Sequence, residues 1–173
     1  MDILEAIRAR RSIRKFTDED VSDAQLKNIL EAAMMAPSAG NAQPWQFIVI
    51  RRKEHLAKVS KVHPYVGMAA KAPLAILVCG DLSLEKFNGF WVQDCAAATQ
   101  NLLLACHGLG LGAVWTGVHP LQERETAFRE LLNLPETVVP LALVVVGHPD
   151  QRLGASSRYK EDRIHHEGWG LKG

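Results

Sequence analysis

The strongest constraint on the fold is a stretch near the middle of the chain, residues 91–107, which is predicted to form a long helix almost without a polar face. Within it, Cys95-Ala96-Ala97-Ala98-Thr99 and Leu102-Leu103-Leu104-Ala105-Cys106 place apolar or small side chains on every side. A helix that is apolar all round must be buried all round. A domain of 173 residues can bury one such helix centrally, but contact between two subunits explains the pattern equally well. Because the small residues allow close helix packing, we favour a subunit interface.

Apolar runs elsewhere predict a sheet buried on both faces. These runs are Phe47–Ile50, Leu74–Val78, Leu141–Val146 and, shorter, Ala113–Val118. Further helices are expected near residues 2–11, from Ser22 (a capping box with Gln25) to Pro37, and near residues 53–62 and 122–132. We therefore predict one domain of mixed α and β structure, residues 1–173, whose polar tail from about residue 150 has no core of its own.

Composition excludes several function classes. The formal net charge of +1 gives no general attraction to nucleic acid or to a membrane, and no apolar stretch is long enough to span a bilayer. The acidic, amphipathic N-terminus lacks the apolar region of a signal peptide, so a cytoplasmic protein is expected. Cys79, Cys95 and Cys106 lie in apolar surroundings and are interpreted as reduced core thiols. No metal is predicted, because no HExxH or Cys/His ligand spacing occurs.

The sharpest local feature is the segment Arg8–Lys15, in which five of eight residues are cationic. On a helix, Arg10 and Arg14 would share a face, as would Arg11 and Arg14. Guanidinium groups beside the hydroxyl of Ser12 are suited to a phosphate monoester. A basic run alone is more often a solvated face, and a nucleic-acid site is disfavoured by the low net charge and the lack of a second basic stripe.

Two loops have residues that are typical of turns or of ligand contacts. The loop between Pro37 and Trp45 offers hydroxyl and amide groups and accessible backbone N–H groups, yet on its own it also fits a plain helix-to-strand connection. The run Gly108-Leu109-Gly110-Leu111-Gly112-Ala113 matches G-x-G-x-x-A, but it follows a helix and precedes a strand. It is therefore interpreted as a helix end and turn, not as a dinucleotide fingerprint.

Taken in order, these pieces resemble the nitroreductase family of flavoproteins over nearly the whole chain, and the ordered set is far more specific than any one motif. The motifs are Arg10-Arg11-Ser12-Ile13-Arg14-Lys15-Phe16, Ala36-Pro37-Ser38-Ala39-Gly40-Asn41-Ala42-Gln43-Pro44-Trp45, the long helix ending in Gly108-Leu109-Gly110-Leu111-Gly112, Trp115-Thr116-Gly117, and Arg158-Tyr159-Lys160-Glu161-Asp162-Arg163-Ile164-His165.

The resemblance implies FMN as cofactor and gives roles to the cations. Arg10, Ser12 and Arg14, with Arg11 adjacent, are similar to the residues that contact the phosphate and the flavin edge. Arg158 is similar to the tail arginine that returns to the phosphate.

Two further groups complete the implied flavin site. The strand end Trp115-Thr116-Gly117 is similar to the one that lies along the isoalloxazine ring and offers backbone N–H groups to it. A loop from the other subunit is implied to reach the same FMN, through Pro37, Ser38, Ala39, Asn41 and Gln43.

The implied fold is α+β, a central, mostly antiparallel mixed sheet flanked by helices, in an interlocked homodimer with two FMN sites at its interface. The implied activity is that of an NAD(P)H-dependent oxidoreductase. In a ping-pong cycle, NADH or NADPH gives hydride to flavin N5, and a nitroaromatic, a quinone or a similar acceptor then takes it. No side-chain acid or base is named as catalytic. Phe87, Phe90 and Trp91 either line a substrate pocket or anchor a helix start.

The chain also departs from the family. Ser156 stands where members often have a lysine, so phosphate charge has to come from the N-terminal arginines and Arg158. The chain is short for the family and lacks an obvious helical excursion over the site, which leaves the acceptor open. Ene reduction, dehalogenation or flavin breakdown on the same scaffold, and a non-catalytic FMN-binding regulatory module, are the alternatives.

Overall fold

The computed structural model of the chain describes residues 2–154 and 156–171. It contains five α-helices and one four-stranded sheet within those residues. The helices are α1 (Ile3–Ala9), α2 (Asp23–Met34), α3 (Lys53–Val59), α4 (Trp91–Gly108) and α5 (Gln122–Leu132). The strands are β1 (Trp45–Ile50), β2 (Leu74–Asp81), β3 (Gly112–Gly117) and β4 (Val138–Gly147).

The sheet is antiparallel throughout, in the order β1-β2-β4-β3. Alternate residues of β2 face opposite sides: Ile76 packs in the core with α2 and α4, whereas Leu77 packs in the core with α3 and α5. Because both faces of the sheet are covered, its central strands are continuous apolar runs rather than alternating ones. The predicted α+β architecture is confirmed.

Helix α4 is central within the single chain. Eight of its 18 residues are buried. It packs on α2 and on the sheet, and it approaches β2 so closely that a Cβ on Gly80 would lie 2.4 Å from the ring of Trp91. Much of the apolar character of α4 is therefore explained by packing inside one chain.

The ends of α2 and α4 have the predicted signals. Ser22 Oγ accepts from the backbone N–H of Gln25 at 3.2 Å, and the Gln25 side chain accepts from the N–H of Ser22 at 2.9 Å, which completes the capping box. At the end of α4, Gly110 has a φ of +77°, and the N–H of Leu111 donates to the carbonyl of Cys106 at 2.8 Å. This is a Schellman turn, so the glycine run ends a helix.

The prediction of a helical face for Arg10, Arg11 and Arg14 is wrong. Helix α1 ends at Ala9, and the chain then becomes extended. Ser12 pairs in parallel with Ala113, where the N–H of Ile13 donates to the carbonyl of Ala113 at 3.0 Å. Pairing with β3 replaces the helical hydrogen bonds that the local pattern suggested, because the segment gains a partner far away in the sequence.

The three cysteines are free and buried, as predicted, and burial raises the pKa of each thiol to about 12. No helix in the described part of the chain has the length and apolar character needed to cross a membrane.

Candidate functional site

A segment of extended chain, Arg10–Lys15, runs along β3 and is held on both sides. One side pairs with Ala113, as described above. On the other, Gln151 Oε1 accepts from the backbone N–H groups of Arg14 at 3.1 Å and Lys15 at 2.9 Å. The carbonyl of Lys15 also accepts from the N–H of Asp150 at 2.9 Å. The cations therefore stand on backbone fixed between β3 and the chain that leaves β4.

A cavity of about 710 Å³ opens beside the start of this segment, and we call it the arginine cavity. Its polar lining includes Gln100 and Tyr159. It also includes four arginines and two serines, which are Arg8, Arg10, Arg11, Arg158, Ser156 and Ser157. The Arg11 guanidinium is fixed by donating to the carbonyl of Gly154 through Nε at 3.0 Å and Nη2 at 2.5 Å. The structure thus brings Arg10, Arg11 and Arg158 together within one chain, across the fold from α1 to the tail.

The arginine cavity has unbalanced charge. Burial lowers the pKa of Arg10, and the neighbouring guanidinium groups of Arg158 and Arg11 lower it further. Among the described residues that line the cavity, none is acidic. Three guanidinium groups that repel one another around a polar cavity are suited to an anion with several oxygens, such as a phosphate monoester.

A second cavity, of about 600 Å³, lies at the end of β3, and we call it the strand-end cavity. Arg14 and the three residues Trp115, Thr116 and Gly117 line part of it. Thr116 Oγ1 donates to the carbonyl of Leu143 at 2.8 Å, so its hydroxyl is used within the sheet. Because β3 is an edge strand, what it offers here is mainly backbone, which suits the edge of a flat polar ring.

The two cavities lie at the two ends of one segment of the chain. Arg10 lines the first and Arg14 lines the second. Four residues of extended chain span about 13 Å. Ser12 lies between the two arginines on this segment. This arrangement suits a ligand with an anionic end and a flat polar ring joined by a flexible polar chain.

The predicted loop before β1, residues 38–43, has an unusual backbone. Gly40, Asn41 and Gln43 have positive φ values of 58°, 53° and 50°. Ser38 Oγ accepts from the N–H of Gln43 at 3.0 Å, and Gln43 Nε2 donates to Asn41 Oδ1 at 2.8 Å. Positive φ is uncommon for residues other than glycine, and such backbone is frequent at functional sites.

Two side chains that sequence reasoning missed hold this loop. Asp94, in α4, is only 5% exposed, and its Oδ1 accepts from the N–H of Ala39 at 2.9 Å. Lys86 Nζ donates to the carbonyl of Gly40 at 2.7 Å. The sequence signal for Asp94 is that it is the one carboxylate in α4.

The aromatic residues at the start of α4 have two different roles. Trp91 is buried against Gly80 and is a core residue. Phe87 and Phe90 are 55% and 44% exposed and form an edge-to-face pair, and the Phe87 ring lies against Gly40. Phe87 and Phe90 thus border the loop, while Trp91 anchors the helix.

The structure does not bring the loop to the two cavities within one chain. Gly117, Ala142, Val78 and Phe47 form one row across the four strands. The loop enters β1 at this end of the sheet, but β1 and β3 are its opposite edges. Three strand spacings amount to about 14 Å. Pro37, Ser38, Ala39, Asn41 and Gln43 therefore stand apart from the arginines of the same chain.

Comparisons with known proteins agree with this geometry. The family model described as the Nitroreductase family matches residues 7–63 and 59–148. A candidate NADH dehydrogenase/NAD(P)H nitroreductase of Methanothermobacter thermautotrophicus is 53% identical over 98% of this chain and 88% of its own length. An FMN reductase [NAD(P)H] of Bacillus subtilis is 30% identical over 96% of this chain and 73% of its own.

A solved structure similar to this chain contains the cofactor itself. It is a candidate nitroreductase of Desulfovibrio desulfuricans in complex with FMN, with a TM-score of 0.84, 36% identity and coverage of 98% of both chains. The structure of an FMN-dependent nitroreductase of Clostridium difficile has a TM-score of 0.90 at 28% identity, covering 96% of this chain and 99% of that one.

Proposed function

The chain belongs to the nitroreductase family, and we propose that it is an FMN-dependent NAD(P)H oxidoreductase that reduces nitroaromatics, quinones or similar acceptors. The observation that carries this proposal is the line of extended chain from Arg10 to Arg14. It joins a cavity suited to phosphate with a strand end suited to a flat ring. Similarity to FMN reductases and to an FMN-bound structure supports the same cofactor.

The arginine cavity is proposed to hold the phosphate of FMN. Arg10, Arg11 and Arg158 supply the charge, with Ser12 next to them on the extended segment. The absence of a lysine at position 156 is compensated by these three guanidinium groups. Burial lowers the pKa of Arg10 and the neighbouring guanidinium groups lower it further, and a bound phosphate would offset this second effect. The residues that are present therefore fit the group.

The isoalloxazine ring is proposed to lie along Trp115, Thr116 and Gly117. When bound, FMN would supply the redox chemistry, which is hydride transfer at N5 from NADH or NADPH to an acceptor in a ping-pong cycle. The backbone of β3 orients the ring, and Arg14 places positive charge beside its pyrimidine edge, where negative charge develops on reduction. No side chain is proposed as an acid or base.

A homodimer is proposed to complete the site. Pro37, Ser38, Ala39, Asn41 and Gln43 of one subunit would contact the FMN held by the arginines of the other, because the two groups lie too far apart in one chain. Apolar side chains on α1 support a subunit contact: Ile3, Leu4 and Ile7 are 68%, 54% and 51% exposed. Sedimentation equilibrium tests this: a dimer mass is expected, and a monomer that binds FMN tightly would contradict it.

The first experiment is the visible spectrum of the protein purified without added cofactor, followed by anaerobic addition of NADH or NADPH. We expect a flavin spectrum that bleaches, and that recovers when a nitroaromatic or a quinone is added. A flavin spectrum that neither nucleotide bleaches would favour a regulatory module. No flavin, even after reconstitution with FMN, would contradict the proposal.

A further inference from the structure

The strand-end cavity has a wall that the proposed flavin site leaves unassigned. Arg14 and residues 115–117 are proposed to contact the ring, whereas His63, Tyr65 and Arg124 line the same cavity without a role. Arg14 and Arg124 are both cations, and none of the described lining residues is acidic. A second reactant entering beside the ring would therefore meet net positive charge.

Arg124 is fixed close to the end of β3. Its Nη1 donates to the carbonyl of Gly117 at 2.7 Å, and its guanidinium carbon lies 5.8 Å from the centre of the Tyr65 ring. A guanidinium has five N–H donors, so one bond to a carbonyl leaves others in a planar fork. The charge of Arg124 is thus held next to the strand end against which the flavin ring is proposed to lie.

His63 adds a donor that lacks an acceptor. Its Nδ1 accepts from the backbone N–H of Tyr65 at 3.3 Å, so in the neutral ring Nε2 has the proton. The residue is 6% exposed, and Nε2 is buried with no hydrogen-bond partner in the described part of the chain. Burial lowers the pKa of His63, and the charge of Arg124 lowers it further, which keeps the ring neutral. A buried donor without an acceptor is costly unless a ligand supplies one.

We propose that Arg124 and His63 are specificity-determining residues that select a second reactant with an anionic oxygen. This inference rests on the proposed function, since it assumes the flavin ring lies along β3. Two sources share this chemistry: a carboxylate on the electron acceptor, or the additional phosphate that distinguishes NADPH from NADH. Arg124 attracts the charge, and His63 provides a neutral N–H as a hydrogen-bond donor.

The kinetic test compares Arg124→Gln with wild type in the two half-reactions of the FMN-loaded enzyme. The donors are NADPH and NADH, and the acceptors are 4-nitrobenzoate and its neutral analogue 4-nitrobenzamide. Either for the two donors or for the two acceptors, we expect the second-order rate constant of the more anionic reagent to fall about tenfold, as for loss of one charge-assisted hydrogen bond. The rate constant of the less anionic reagent in that pair should change less than about twofold. The pair that responds identifies the source of the anion.

The matched control is Arg52→Gln, which removes the same charge from an exposed residue that pairs with Glu54 at 3.6 Å. This variant should match wild type with all four reagents. Equal losses for both members of each pair in Arg124→Gln, or no loss at all, would overturn the inference while leaving the proposed reductase intact.

A binding measurement does not depend on turnover. The pKa of His63 is followed by NMR during addition of 4-nitrobenzoate or of NADP⁺. Its signal is assigned as the one that is missing from the spectrum of His63→Gln. An anion beside Arg124 offsets its repulsion, so one of the two ligands should raise the pKa of His63 in wild type but not in Arg124→Gln. No rise with either ligand would overturn the inference. Failure to take up FMN would instead contradict the proposed function.

Discussion

The two edges of the sheet hold their functional segments in opposite ways. At the β1 edge, the loop of residues 38–43 is held by hydrogen bonds inside the chain, to Asp94, to Lys86 and within the loop itself. At the β3 edge, the backbone of the Arg10–Lys15 segment is equally well held, but its guanidinium groups repel one another. The first edge is held by internal hydrogen bonds, whereas the second concentrates positive charge that an anion would offset. Side-chain substitutions at Asp94 and Arg10 should therefore separate stability from binding.

The largest effect is expected from Gly112→Ala at the β3 edge. A Cβ there would lie 2.7 Å from Cβ of Ile13, which is fixed by its pairing with Ala113. Because the neighbour is held by backbone hydrogen bonds, the segment must shift, at a cost of about 2–3 kcal/mol. The thermal unfolding temperature and the affinity for FMN, measured by titration, should both be lowered. Gly108→Ala, where nothing lies within 4 Å of the added carbon, is the control. Unchanged unfolding of Gly112→Ala would show that the segment is loosely held.

Arg10→Gln is expected to change binding and stability in opposite directions. Losing a charge-assisted contact to phosphate should raise the Kd for FMN about tenfold, or about 1.4 kcal/mol. The pKa of Arg10 is lowered in the folded state, which means that folding disfavours its charged form at neutral pH. Removing that charge should leave the FMN-free protein as stable as wild type, or slightly more so. Fluorescence titration measures the Kd for FMN, and thermal unfolding measures the stability of the FMN-free protein. Clear destabilisation of the apo-protein would contradict the contrast between the edges.

Asp94→Ala tests the β1 edge. It leaves the N–H of Ala39 without its acceptor, and we expect a loss of about 1–1.5 kcal/mol in the free energy of unfolding. Asp94→Asn keeps an acceptor oxygen and should lose less. Gln93→Ala, at the exposed neighbouring position, controls for changes in α4. Denaturant unfolding of the FMN-free protein is the measurement, since this hydrogen bond lies within one chain. Equal losses for the Ala and Asn variants would argue against this hydrogen bond.

Gly40→Ala should have the smallest effect. Its φ of +58° disfavours a side chain, and the added carbon would lie 2.9 Å from the Phe87 ring. That ring is half exposed and can move, so the cost is mainly backbone strain of about 1 kcal/mol. Gly154→Ala, with open space around it and no positive φ, is the control in thermal unfolding. A cost matching that of Gly112→Ala would mean that the β1 edge is as rigid as the β3 edge.

Patterns that depend on neighbours in the sequence predicted the elements well. The continuous apolar runs gave four strands, because a sheet covered on both faces needs apolar residues at every position. The capping box at Ser22 and the turn at Gly110 followed from backbone groups that local residues satisfy. In each case the cause and the effect lie within a few residues of each other.

The sequence by itself therefore determined the elements, the family and the cations that a phosphate would need. Only the tertiary structure decided that Arg10 and Arg14 lie on an extended segment and not on a helix, since the competing partner, Ala113, is distant in the chain. Only it decided that Asp94 holds the loop before β1, and that His63 and Arg124 share a cavity. Hydrogen bonds and charges act over ångströms in space, and no local pattern records which distant residues the fold will bring within that range.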